Sequence, residues 1–169
     1  MKTIALQGLE LPYRRTGRGP PLVMLHGGGG PDFDSPFAHR LAERFEIIAP
    51  VHPGFAGTRI PDEFSGLDDL VFLYLDLLDA LDLKGAALMG FSMGGWIAAE
   101  LAAINMSRLS KLILVDSVGV KVGGRDDRDI ADVFALSYEK LAELAYHDPS
   151  IAPLPADISD RELDIIAAN

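Results

Sequence analysis

The stretch Gly90-Phe91-Ser92-Met93-Gly94-Gly95 decides how this chain is read. Gly85-Ala86-Ala87-Leu88-Met89 precedes it, a short apolar run of the kind a strand buried on both faces carries. The residues from about Met93 to Ile104 that follow have the length and apolar content of a packed helix. A serine at such a junction occupies a sharp strand-to-helix turn, with glycine two residues to either side, at Gly90 and Gly94, where a Cβ would collide. The turn directs the Ser92 hydroxyl outward. The start of the following helix offers unpaired N–H groups and a positive dipole end to an oxygen on which charge develops. Ser92 is therefore the candidate nucleophile, and the N–H of Met93 a candidate oxyanion donor.

The same strand–helix alternation repeats on either side of this segment. Pro21-Leu22-Val23-Met24-Leu25 is a second buried-strand run. The stretch from Ser35 to Arg44 is expected to form a helix with Phe37, Leu41 and Phe45 on its apolar side. Residues 45–51 form another strand, residues 52–66 a Pro/Gly-rich loop, and Leu70, Leu73, Leu77, Leu78 and Leu81 the apolar face of a further helix. Lys111 to Asp116 closes the series as a strand. An early strand over Leu9 to Arg15, with a turn at Gly17 to Pro20 behind it, suggests a hairpin entry. Helices of this length between strands imply right-handed crossovers and a mostly parallel sheet covered on both faces.

His26-Gly27-Gly28-Gly29-Gly30 directly follows the Pro21–Leu25 strand. Consecutive glycines let a backbone approach a substrate oxygen with no side chain in the way, and the N–H of Gly28 is the candidate second oxyanion donor. Gly27 and His26 support the loop, the His26 ring bracing it by hydrogen bonding rather than acting as a base. A third segment, Pro50-Val51-His52-Pro53-Gly54-Phe55-Ala56-Gly57-Thr58, carries x-x-P-G-F-x-G-[ST] after the next strand.

In this order the three segments resemble the α/β-hydrolase fold superfamily, specifically members with an HGGG loop and a GxSMGG elbow: carbon–carbon bond hydrolases of aromatic degradation, lactonases and carboxylesterases. The resemblance covers about residues 9–120. It implies a core domain over 1–120 and the beginning of a helical lid over 121–169, with Trp96, Phe134, Leu136 and Tyr138 as candidate apolar pocket walls. It also implies an acyl-enzyme route, because the branches that attack through a carboxylate, haloalkane dehalogenases and epoxide hydrolases, carry aspartate where Ser92 stands. The family places its acid and then its histidine on later strands, so the expectation is a hydrolase core truncated on its C-terminal side, with the catalytic histidine missing from this chain. Asp116 stands where some members keep the triad acid, with loop capping as the preferred reading. His26, His39, His52 and His147 are read as loop, surface or cap residues. Strand Lys111–Asp116 would present an unpaired apolar edge open to self-association. The other reading is a non-catalytic α/β-hydrolase-like binding or interaction module.

Composition narrows the alternatives. The 169 residues, 49% of them hydrophobic, suit one domain with a substantial core. The absence of cysteine removes thiolate and disulfide chemistry and suits a cytoplasmic setting. A net charge of −10 repels nucleic acid. Neither a leader-type apolar segment nor a run of about 18 apolar residues is present, so no membrane association is expected. No lysine follows Gly30 as a phosphate loop requires, and no H-E-x-x-H occurs, so no cofactor and no metal is implied; the partner is a small-molecule substrate. Beyond residue 120, Ser137 is expected to cap a helix through Tyr146, and Ser159 with Glu162 to open one reaching Asn169.

Overall fold

The computed structural model describes residues 1–132 and 135–152. Two compact units divide after Val120. The first contains β1 (Lys2–Leu6), β2 (Leu9–Gly17), β3 (Pro21–Leu25), α1 (Pro36–Ala42), β4 (Glu46–Pro50), α2 (Leu67–Ala80), β5 (Ala86–Phe91), α3 (Met93–Ile104) and β6 (Leu109–Val115). Its six strands lie in the order β1-β2-β4-β3-β5-β6. The four from β4 to β6 are mutually parallel, while β2 runs antiparallel to both β1 and β4. The sheet is thus mostly parallel, an α/β-hydrolase fold. The hairpin differs from expectation: β2 turns back on β1 through Gln7 and Gly8, both with positive φ, not on β3 through Gly17–Pro20. Lys2–Leu6 is too short for periodicity to announce it as a strand, and only Leu6 in it is buried.

Two cores sit on opposite faces of the sheet. The larger joins Leu25, Ile48 and Leu88 to the buried faces of α2 (Val71, Leu73, Tyr74, Leu77, Leu78) and α3 (Ile97, Ala98, Leu101). On the other face Met24, Ile47, Ala49, Ala87 and Met89 meet α1 through Ala38 and Leu41. Ser35 caps α1 by accepting the Ala38 N–H at 3.2 Å, which sets its start one residue before a proline that needs no donor. The apolar side of α1 is rotated from the one expected: Ala38 is buried, whereas Phe37 is 49% exposed. A seven-residue helix presents too narrow a stripe to bury both.

This arrangement positions the site. Neighbouring β3 and β5 send their chains from their carboxyl ends to opposite faces, β3 to α1 and β5 to α3, which opens a crevice between the two loops. Open α/β sheets bind ligands at such a switch point. Gly27 and Ser92 stand there.

The second unit holds α4 (Tyr138–Ala145), capped by the Ser137 hydroxyl, and a 3-10 turn at Pro149–Ile151. Asp129 organises the segment ahead of α4, accepting the N–H groups of Val122 (3.1 Å) and Gly123 (2.8 Å) and pairing with Lys121 at 2.8 Å. The helix expected from Ser159 and Glu162 to Asn169 lies outside the described residues. Among the described residues, no helix is long and apolar enough to cross a membrane.

Candidate active site

Ser92 has φ 49° and ψ −115°, a combination that L-residues avoid, and it caps α3. Its backbone is held from several directions. The Ser92 N–H donates to Val115 O on β6 at 3.0 Å, and its carbonyl accepts from Gly95 (2.9 Å), Trp96 (3.2 Å) and Val118 (3.3 Å). A Cβ at Gly90 would overlap the Gly94 carbonyl, and one at Gly94 would overlap the carbonyls of Leu25 and His26. Gly95 is equally constrained, by Ser117, although the G-x-S-x-G pattern does not include it. The strained turn persists because strand, helix and glycine packing over-determine it. The N–H of Met93, in the first turn of α3, has no protein acceptor among the described residues.

The glycine loop packs directly on the serine: a Cβ on Gly27 would lie 3.1 Å from Ser92 Cβ and 3.2 Å from Phe91 O. Gly28 is exposed, with open space around the position a Cβ would take, and its N–H likewise lacks a protein acceptor among the described residues.

Behind this loop lies a buried histidine pair. The rings of His26 and His52 meet at a tilt of 39°, with centroids 3.8 Å apart. Nδ1 of His26 donates to Gly27 O at 2.8 Å, while its Nε2 accepts the His52 N–H at 3.0 Å. Nε2 of His52 donates to His26 O at 2.8 Å, and its Nδ1 accepts the Tyr74 hydroxyl. Burial holds the His26 imidazole down to about 4, opposed in part by the hydrogen bond to Gly27. Burial, then the neighbouring His26, takes His52 down to about 3. Both rings are neutral near pH 7 and occupied through both nitrogens, so neither is placed to take a proton from Ser92. His52 lies in a loop, as expected, but it is fully buried and its ring packs in the core. The signal that pointed to it was Tyr74, whose spacing from Val71 and Leu77 puts it on the buried face of α2, where a tyrosine hydroxyl needs a partner.

His39 is exposed on α1 and His147 belongs to the second unit. Asp116 is exposed with φ 45°, and its carboxylate has no partner among the described residues, so the expected loop-capping contact is not formed. No cluster among the described residues could hold a metal ion.

A cavity of about 420 Å³ opens at the carboxyl ends of β3 and β4, walled by Met24, His26, Phe33, Phe37, Ala49 and Phe91. Phe37 meets Phe91 edge-on at 5.9 Å between centroids, and Arg14 holds the loop by pairing with Asp34 at 2.8 Å and lying over Phe33. These walls are not the ones expected. The Trp96 ring packs against Gly119 and donates to Glu100 at 3.2 Å, Leu136 and Tyr138 belong to the second unit, and Phe134 lies outside the described residues. The phenylalanines of Pro31-Asp32-Phe33-Asp34-Ser35-Pro36-Phe37, directly after the glycines, were the available signal.

A sequence profile of the Alpha/beta hydrolase family matches residues 22–167. The chain belongs to the alpha/beta hydrolase family. Within it, the chain is 33% identical to 2-hydroxymuconate semialdehyde hydrolase of Pseudomonas sp. (strain CF600), over 90% of this chain and 62% of that enzyme. It is 37% identical, over 60% of its length, to 28% of the dihydrolipoyllysine-residue acetyltransferase component of the acetoin cleaving system of Pseudomonas putida. This alpha/beta hydrolase chain therefore spans less than two thirds of the length of either relative. In fold it is similar to a meta-cleavage product hydrolase from Pseudomonas fluorescens IP01, with a TM-score of 0.72, 21% identity, and 99% of this chain and 67% of that one covered.

Proposed function

We propose that Ser92 is the nucleophile of a serine hydrolase that cleaves an ester, lactone or activated carbon–carbon bond of a small molecule through an acyl-enzyme. The observation that carries this reading is the strained Ser92 backbone at the head of α3, with the Gly27 main chain packed against its Cβ. Ser92 Oγ attacks the carbonyl carbon, and the N–H groups of Gly28 and Met93 receive the oxygen as it becomes an oxyanion. Collapse expels the leaving group, and water then releases the acyl group from Ser92. The aromatic cavity beside Phe91 holds the apolar part of the substrate, and residues 121–169 are assigned as the beginning of a helical lid. The 33% identity to 2-hydroxymuconate semialdehyde hydrolase supports hydrolysis of a small molecule.

The base that takes the Ser92 proton is not His26 or His52, whose ring nitrogens are all engaged. Asp116, whose carboxylate has no partner among the described residues, is the candidate acid of the triad. A fluorophosphonate applied to the protein expressed from the complete gene is expected to label Ser92, and Ser92→Ala to abolish labelling; an unlabelled Ser92 would refute the mechanism. The 169-residue chain alone is expected to turn over little ester, since an un-ionised serine leaves only the residual effect of the oxyanion donors. Robust Ser92-dependent turnover by this chain would instead promote His147, or a base lent by a partner chain.

A second reading, self-association through β6, rests on a separate observation. β6 is the outer strand of the sheet among the described residues, with Leu112 and Leu114 each more than a third exposed. An unpaired apolar edge is a template for another strand, and a second copy of this chain presents the same edge.

A further inference from the structure

The hydrogen bonds of the histidine pair have a direction that the atoms themselves dictate. A carbonyl oxygen only accepts, so His26 carries its proton on Nδ1, facing Gly27 O, and His52 carries its proton on Nε2, facing His26 O. A backbone N–H only donates, so His26 Nε2 is a lone pair facing His52 N. With Nε2 protonated, neutral His52 accepts at Nδ1, and the Tyr74 hydroxyl must donate there. Each tautomer is thus set by its neighbour, in a line from the fully buried Tyr74 on α2 to the carbonyl of Gly27.

What the line ends on is the peptide that carries Gly28. In a trans peptide the carbonyl and the next N–H point in opposite directions, so fixing Gly27 O fixes where the Gly28 N–H aims. Gly27 O is held by His26 Nδ1 and by the Gly30 N–H at 3.0 Å. Gly27 also packs against Ser92, but Gly28 and Gly29 lack Cβ atoms and a Cβ built on either would meet nothing within 4 Å, so the Gly28 side of the peptide has no packing of its own. A glycine run free to reorient needs an external anchor if one of its N–H groups is to be a preorganised donor.

We propose, on the reading of Ser92 as nucleophile, that Tyr74 and His52 are positioning residues for the oxyanion donor Gly28. They act through the His26 ring and the Gly27 carbonyl. His52 anchors the His26 main chain through Nε2 and fixes the His26 tautomer through its own N–H; Tyr74 fixes the His52 tautomer from the opposite side. Neither touches the substrate.

The test begins on the unaltered chain, labelled with 15N, by long-range 1H–15N correlation at pH 7. His26 is expected to be protonated at Nδ1 and His52 at Nε2; the opposite tautomer at either ring overturns the proposal without any variant. His52→Leu, which removes the donor to His26 O, is expected to move and broaden the Gly28 amide resonance and to slow fluorophosphonate labelling of Ser92 roughly 10- to 100-fold in the protein from the complete gene. His52→Gln, whose amide restores that donor, is expected to recover most of both. Tyr74→Phe should shift both readouts in the same direction but less. A wild-type Gly28 resonance and labelling rate in His52→Leu and Tyr74→Phe overturn the proposal. If wild-type Ser92 is not labelled at all, the nucleophile assignment fails, while the Gly28 resonance still reports whether Tyr74 and His52 hold that peptide.

Discussion

Gly27 lies so close to Ser92 that a Cβ built on it would stand 3.1 Å from the Ser92 Cβ. Ser92 cannot yield, because its N–H and carbonyl are bonded to β6 and α3, so an added methyl must displace the glycine loop. Gly27→Ala is expected to cost about 1–2 kcal/mol of stability and to depress Ser92 labelling by moving Gly28. Gly28→Ala, with open space around it, should leave stability within about 0.5 kcal/mol of wild type. Urea denaturation of the two variants checks the contrast; equal losses would mean that the loop does not rest on Ser92.

The Ser92 backbone itself supplies a second expectation. Holding a non-glycine residue at φ 49° and ψ −115° costs on the order of 1–3 kcal/mol. Ser92→Gly relieves that strain whereas Ser92→Ala keeps it, so the glycine variant should be the more stable by about 1 kcal/mol. Matching denaturation midpoints would place no strain at this residue.

Acid should weaken the fold through the histidine pair. Burial lowers His26 from 6.5 to about 4 and His52 to about 3, so below 6.5 the unfolded chain binds protons that the folded one refuses. Stability is full above pH 6.5, falls as pH drops, and stops falling on this account below about 4 for His26 and about 3 for His52. Each imidazole contributes a slope of about 1.4 kcal/mol per pH unit within its window. Denaturation between pH 7 and 4.5 should show a steeper loss for wild type than for His52→Gln, in which one titrating ring is gone. Parallel curves would show that His52 already binds its proton in the folded state.

Self-association through β6 is checked by sedimentation velocity over a concentration series. The wild-type chain is expected to gain mass with concentration, and Leu112→Lys with Leu114→Lys to keep it monomeric, since charge on an edge strand opposes pairing. A monomer at every concentration would remove the second reading.

Much of the core was legible from the chain alone. The strands at Pro21–Leu25 and Ala86–Phe91 follow from short apolar runs, and the helix over Met93–Ile104 from its length and apolar content, because local patterning and backbone sterics act over a few residues. The elbow was legible for the same reason: a serine flanked by Gly90 and Gly94 between a strand and a helix has few other conformations available. β1 was not, since five residues with one buried side chain carry no period, and neither was the partner of β2, which depends on where distant strands lie.

By itself, the sequence determined the alternation of strands and helices, the sharp turn at Ser92 and the flexibility of Gly27 to Gly30, all of which are local consequences of side-chain size and apolar spacing. The tertiary structure alone decided that His26, His52 and Tyr74, from two loops and a helix separated along the chain, form one hydrogen-bonded line ending at Gly27. It likewise decided that the aromatic cavity is walled by Phe33, Phe37 and Phe91. Hydrogen-bond direction and burial depend on which atoms meet in space, and the parallel pairing of β3 with β4, with α2 packed on the sheet, brings His26, His52 and Tyr74 together.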